Sequence, residues 1–340
     1  MSEIRYDRIF DKYVVIAPQR LRRPELYPVD EKMLKDTTKC PFCKGHEDMT
    51  PPSIYTLKDK ETWSVRVVPN LYRAFEIEAK DGSIEDGIYE KRDGFGAHEV
   101  IIDSDKHIVK FEDLSKEQMK RWLFVIKQRV EDLKKDIRLN YFAVFKNQGK
   151  NSGATLPHVH TQLTATSVLP KEQLSNLKRY AAFYREFGRS IFEDIVDFEI
   201  KEQKRVFLES ENFIAFCPYA SSFAFEVMIL PKIDISCVIK LDDMLMGELS
   251  ALLKDTLIGL KGVLGEFDYN LYIENTPMQR DYQTEEFFDD MDRFFRFFIR
   301  IIPRLYKIGG FELQSGQNIN PVVPQNAAEL IKKGNFSSAL

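Results

Sequence analysis

Five histidines occur in the 340 residues, and two of them stand one residue apart in His158-Val159-His160-Thr161-Gln162. In an extended segment, residues i, i+2 and i+4 emerge on one face, so both imidazoles and the Gln162 amide aim at one spot. The preceding run, Gly153-Ala154-Thr155-Leu156-Pro157, reads as a turn whose backbone N–H groups can hold an anion. An imidazole can attack as a covalent nucleophile, and an amide N–H can steady the oxygens of a phosphoryl group. The competing reading of this spacing is a surface pair or two metal ligands.

Cys40-Pro41-Phe42-Cys43-Lys44-Gly45 has the make-up of a metal knuckle: two close thiols, a proline that stiffens the turn and a glycine that lets it reverse. A redox pair is the alternative. Zinc in a Cys2His2 set would need two histidines from His46, His98, His107 and the pair at 158 and 160. One histidine of the pair could bind metal while the other stays free, and spacing does not say which.

These residues need strands and turns to hold them, and the chain writes such a unit twice. The first copy has a strand at His98–Ile102 and a helix opened by a Ser115/Gln118 capping box, with Met119, Trp122, Ile126, Val130 and Leu133 on its buried face. A strand from Tyr141 to Asn147 completes it. The second copy has a strand at Phe225–Ile229, a helix burying Met246, Leu249, Leu253, Leu260 and Leu264, and a strand at Tyr269–Ile273. Its last strand, Arg296–Arg300, carries Arg296, Phe298 and Arg300 where the first copy carries His158, His160 and Gln162. A linker helix with Leu174, Leu177, Tyr180, Tyr184 and Phe187 joins the halves, and 326–340 reads as a short helix with a loose tail.

Apolar residues make up 44% of the chain, enough for a substantial core. A net charge of −4 with interspersed signs does not suggest a nucleic-acid surface. No apolar run approaches a membrane span and the N-terminus has no leader pattern. Four cysteines do not suggest a disulfide framework in so long a chain, and a cytoplasmic protein is expected.

Taken together, these motifs resemble the galactose-1-phosphate uridylyltransferase family, the transferase branch of the histidine-triad superfamily. The resemblance runs from Arg5-Tyr6 and Ile16–Pro24 through Cys40-Pro-Phe-Cys43, Val68-Pro69-Asn70 and Asp105-Lys106-His107 to Gly310-Phe311-Glu312 and Asn320-Pro321. The family most often has proline between the two histidines, where this chain has Val159. The resemblance implies an α+β fold of two tandem histidine-triad-like half-barrels, each an antiparallel sheet with helices packed on it. The expected division is a catalytic domain at 1–190, a degenerate domain at 191–325 and a tail at 326–340. It also implies one structural zinc site on Cys40, Cys43, His107 and His158, with His160 the nucleophile and Gln162 a phosphate contact. Asn147 and Thr155 would lie near the phosphates, Asn70 at the ribose, and Arg20 and Arg23 near the phosphate-bearing ligand. The second metal site of some relatives would fall on Asn176, Glu274, Arg296 and Phe298, a set that predicts its absence. The ribose-contacting asparagine is often followed by Asp, where Leu71 stands here.

The implied activity is transfer of a nucleoside monophosphate from a nucleotide sugar, UDP-glucose in most of the family, to a hexose 1-phosphate by ping-pong chemistry. Gly94–Val100 and Gly310–Gly316 look closer to a side branch that includes ADP-glucose phosphorylases, which would use inorganic phosphate. A zinc-stabilised nucleotide-binding module without turnover is the reading of a different class. The resemblance implies a homodimer.

Overall fold

Some strands of the sheet alternate buried and half-buried residues, as Tyr141–Gln148 does, others bury every residue, as Val227–Pro231 and Phe298–Pro303 do, and 3.6-residue periodicity builds the helices. The computed structural model describes residues 2–18, 40–60, 62–279 and 286–334. Strands β1 (Glu3–Asp7) and β2 (Lys12–Ile16) open the chain, followed by β3 (Tyr55–Asp59), β4 (Thr62–Pro69), a hairpin of β5 (Ser83–Asp86) and β6 (Tyr89–Arg92), and β7 (Gly96–Ile102). Helix α1 (Lys116–Leu133), β8 (Tyr141–Gln148) and β9 (His160–Thr166) complete the first half. Helices α2 (Lys171–Phe187) and α3 (Ile191–Glu202) lead to β10 (Val206–Glu209), β11 (Phe213–Phe216), β12 (Val227–Pro231), α4 (Asp243–Leu264) and β13 (Tyr269–Glu274). The chain closes with α5 (Met291–Phe294), β14 (Phe298–Pro303), α6 (Gly310–Ser315), β15 (Asn318–Asn320) and α7 (Pro324–Gly334).

Ten strands form one antiparallel sheet in the order β10-β11-β12-β14-β13-β8-β9-β7-β4-β3. Read inward from its two edges, the halves repeat each other: β3-β4-β7-β9-β8 matches β10-β11-β12-β14-β13. The duplicated unit is therefore visible as β7-α1-β8-β9 and β12-α4-β13-β14. The class is α+β with helices on antiparallel sheet, as expected. The β8–β13 pairing, Tyr269 opposite Gln148 through Ile273 opposite Val144, runs the two half-barrels together into one open sheet, and no barrel closes.

Helices α1 and α4 pack against each other over one face and contribute Trp122, Ile126, Val130, Leu249, Leu253 and Leu257 to one buried core. Helices α2, α3 and α5 cover the other face through Leu177, Tyr180, Phe192 and Phe294. Burying each such side chain stabilises the fold by about 1.5–3 kcal/mol before the entropy cost of ordering it. At Ser115 only half of the expected capping box forms. Its hydroxyl accepts from Gln118 N, but the Gln118 amide donates instead to the carbonyls of Ser64 and Asp103, because β4 and the chain after β7 pack within its reach. The expected linker helix stops at Gly188, whose φ of 69° ends α2, and a second helix follows. Phe187, expected on the apolar face, is 56% exposed at that helix end. The final strand starts at Phe298, two residues later than the sequence suggested.

Candidate active site and metal centre

The knuckle closes through Cys43 N–H donating to the Cys40 carbonyl at 3.3 Å, and Lys44 N–H ties it to the Asp105 carbonyl at 3.3 Å. That second bond brings the turn carrying His107 against the thiols. His158 comes from the approach to β9, immediately before the strand begins at His160. Its Nε2 lies 2.9 Å from the Ser104 carbonyl, which can only accept, so Nε2 carries the proton and Nδ1 presents a lone pair. That Nδ1 lies 3.5 Å from Cys40 Sγ and 3.7 Å from Cys43 Sγ, and His107 Nδ1 lies 3.2 Å from Cys43 Sγ.

One ligand atom from each of Cys40, Cys43, His107 and His158 lies within 4.8 Å of all the others, so the four can hold a metal ion. A tetrahedron with bonds of about 2.3 Å to sulfur and about 2.0 Å to nitrogen has S–N edges of about 3.5 Å, which these separations match. Burial, with the neighbouring Cys40 thiol, pushes the Cys43 thiol up to about 12. The Cys43 thiol therefore needs a cation to become a thiolate. His46 stays out of the cluster, its Nδ1 donating to the Cys40 carbonyl at 2.7 Å.

His160 opens β9 and is 8% exposed. Its Nδ1 donates to the His158 carbonyl at 2.7 Å, leaving the lone pair on Nε2. Burial draws its pKa down to about 4, so the ring is neutral at pH 7. A neutral imidazole whose tautomer is set by a backbone carbonyl is a competent nucleophile. Phe42 of the knuckle packs against both rings, at centroid distances of 6.1 Å to His158 and 5.3 Å to His160, so the metal cluster and the free imidazole share one wall.

Behind the strand lies a buried polar network that sequence reading missed. Lys146 Nζ pairs with Asp103 and donates to the His160 carbonyl at 2.7 Å. Thr161 Oγ1 donates to Asp103 at 3.1 Å and accepts from Trp122 Nε1 at 2.8 Å. The available signal was Lys146 at an inward position of the alternating strand Tyr141–Gln148.

Gln162 follows on β9, its Oε1 2.8 Å from His98 Nε2 and 3.5 Å from Asn70 Nδ2. Asn70 thus joins the cluster. Asn147 stands at the end of β8, its Oδ1 accepting from Asn270 at 2.8 Å, so its Nδ2 is the donor end of the amide. Asn270 also donates to the Ser152 carbonyl at 2.9 Å, and Asp268 accepts from Asn151 N–H at 2.9 Å, so the second half props the turn that leads to His158. Thr155 is exposed in that turn. Arg20 and Arg23 lie outside the described residues. Of the positions matched to a second metal site, Glu274 accepts from Gln173, Asn176 from Arg179, Arg296 pairs with Asp234, and Phe298 is core.

Residues 1–170 match the model of the galactose-1-phosphate uridyl transferase N-terminal domain, and 175–333 that of its C-terminal domain. An ADP-glucose phosphorylase of Arabidopsis thaliana is 30% identical over 336 residues, spanning 97% of this chain and 92% of its own length. A galactose-1-phosphate uridylyltransferase of Thermotoga maritima is 25% identical over 341 residues, spanning 98% of each chain. The crystal structure of an Arabidopsis thaliana ADP-glucose phosphorylase with bound ADP-glucose superposes with a TM-score of 0.83 at 29% identity, covering 98% of both chains.

Proposed function

This chain belongs to the galactose-1-phosphate uridyl transferase family and is a nucleotidyltransferase, and we propose that it works through a covalent nucleotidyl-His160. The observation that carries the reading is the geometry of His160: a buried, neutral ring with Nδ1 bonded to a backbone carbonyl and Nε2 without a hydrogen-bond partner among the described residues. Nε2 attacks the α-phosphorus of a nucleotide sugar, the bond from that phosphorus to the bridging oxygen breaks, and hexose 1-phosphate leaves. An oxygen of a second hexose 1-phosphate then attacks the same phosphorus, and the electron pair of the N–P bond returns to Nε2. Gln162 and Asn147 donate to the phosphoryl oxygens as charge builds there. Thr155, Arg20 and Arg23 serve the phosphates and Asn70 the ribose.

Cys40, Cys43, His107 and His158 would hold zinc, a reading supported by their donor set and S–N separations. Zinc bound there would supply structural cross-linking of the knuckle, the His107 turn and the residue before β9, with no open position for substrate. Residues 1–190 form the catalytic unit in this reading and 191–325 a degenerate one, since only the former carries His-x-His-x-Gln. A homodimer and a cytoplasmic setting complete the proposal; the free thiols of Cys40, Cys43, Cys217 and Cys237 suit a reducing compartment.

UDP-glucose with hexose 1-phosphate is the leading substrate pair, after the relatives named as uridylyltransferases. Transfer of AMP from ADP-glucose to inorganic phosphate is the second reading, supported by the 30% identity to the phosphorylase. Intact-mass measurement after mixing with each nucleotide sugar decides: a UMP adduct supports the first, an AMP adduct the second, and no adduct with either refutes the covalent mechanism.

A further inference from the structure

His98 stands on β7, one register step from Gln162 on β9: Val100 pairs with Gln162 and His98 with Thr164. Residues 98 and 100 share a face, so the His98 ring reaches Gln162 diagonally across the strands. Its two nitrogens have different partners. Nδ1 lies 3.1 Å from the backbone N–H of Ala74, which can only donate, so Nδ1 carries the lone pair. A neutral ring then bears its proton on Nε2, which faces Gln162 Oε1 at 2.8 Å.

Asn70 obeys the same logic. Its Oδ1 accepts from Tyr72 N–H at 2.9 Å, which leaves Nδ2 a donor, 3.5 Å from Gln162 Oε1. Asn70 Nδ2 also lies 3.1 Å from His98 Nε2, so the two side chains crowd the same end of the Gln162 amide. Each donor is oriented by a backbone N–H of the loop after β4. Both bonds specify which end of the Gln162 amide is oxygen.

From this we infer that His98 is a positioning residue: it occupies Gln162 Oε1 and so turns the Gln162 NH2 toward the phosphoryl group on His160. An unrestrained amide rotates at little expense, and its carbonyl end would repel a phosphoryl oxygen. His98 touches no reacting atom and acts through Gln162. This rests on the nucleotidyl-His160 reading, so the test has one arm that depends on chemistry and one that does not.

The first arm follows adduct formation by rapid-quench mass measurement in a double-mutant cycle of His98→Phe and Gln162→Ala, with His98→Gln as the conservative variant. His98→Phe keeps the ring and loses the donor, and it should slow adduct formation roughly tenfold or more with little change in KM. His98→Gln, whose amide can donate from the Nε2 position, should stay within about threefold of wild type. On the Gln162→Ala background His98→Phe should change nothing further, because its target is gone. An unchanged rate in His98→Phe, or effects that multiply in the double variant, overturns the proposal.

The second arm needs no turnover: heteronuclear NMR of the imidazole nitrogens should show His98 as the neutral Nε2–H tautomer. An Nδ1–H tautomer or a charged ring at neutral pH overturns the proposal by itself. If wild-type protein forms no adduct with UDP-glucose or ADP-glucose, the covalent mechanism fails, and the tautomer together with the effect of His98→Phe on the Gln162 amide resonances decides the fate of His98.

Discussion

Replacing Lys146 with methionine removes one ammonium and keeps most of its stem. The Lys146 and Asp103 side chains are 1% and 0% exposed, so water screens neither charge. The variant loses the ion pair, the 2.7 Å bond to the His160 carbonyl, and the cation 4.4 Å from the Phe111 ring centroid. Thr161 Oγ1 still donates to Asp103, but the carboxylate has no counter-charge. Breaking a buried pair from one side costs about 3–5 kcal/mol, a large share of the roughly 5–15 kcal/mol that holds a domain folded. Burial already pushes Asp103 up, against the pull of Lys146, so the lone carboxyl takes up a proton in the variant and the loss sits toward the lower end of that range. Removing both charges in Lys146→Met/Asp103→Leu should restore stability to within about 1–2 kcal/mol of wild type. Urea unfolding of metal-loaded protein measures all three. A single variant within about 1 kcal/mol of wild type, or a double variant less stable than the single one, refutes the reasoning.

Three more expectations concern the parts that carry the site. Glu274 is half-buried at the end of β13, and desolvation raises its carboxyl to about 7, against about 4.3 in an unfolded chain. Its folded pKa is the higher one, so its contribution is fully present below the unfolded value and is lost as pH rises to about 7, by roughly 4 kcal/mol in all; the stability difference between wild type and Glu274→Gln should follow that fall, and a flat difference would count against it. Gly149 has φ of 84°, and a Cβ there would lie 1.7 Å from Asp268 Oδ1, so Gly149→Ala should destabilise by about 1–3 kcal/mol or more and slow transfer by displacing the turn before His158, as thermal melts and turnover would show. Cys40→Ser should weaken retention of the metal ion proposed for this cluster and lower the melting temperature before any direct effect on chemistry; metal analysis showing full occupancy with unchanged melting would overturn the ligand assignment.

Strand and helix positions followed from periodicity because burial on one face is a local property of the sequence. The repeat was legible for the same reason, as Tyr141 to Asn147 and Tyr269 to Ile273 present the same alternation. What periodicity could not reveal was partner choice. Gln118 looks like the far half of a capping box, yet its amide is taken by carbonyls from β4 and the chain after β7. Lys146 and Asp103 lie 43 residues apart in the chain, and only the β7-β9-β8 order brings them together under His160. His98 reads as one polar residue in an alternating strand until the β7–β9 register sets it diagonal to Gln162. The His160 tautomer depends on one carbonyl, and its neutrality on burial; neither is written in His-x-His spacing. The merging of two half-barrels likewise depends on an edge pairing between β8 and β13, to which no local pattern points.

Covalent transfer through His160 requires the nucleotide to be attached to that ring during turnover. Acid-stable derivatives are not expected of a phosphorus–nitrogen bond, so the adduct should be quenched under alkaline conditions, digested and sequenced by tandem mass spectrometry. The expected result is a single modified peptide bearing the nucleoside monophosphate on His160, absent from His160→Gly and unaffected in yield by phosphate-free buffer. A nucleotide found on another residue, or product forming at the wild-type rate in His160→Gly, would contradict the central claim.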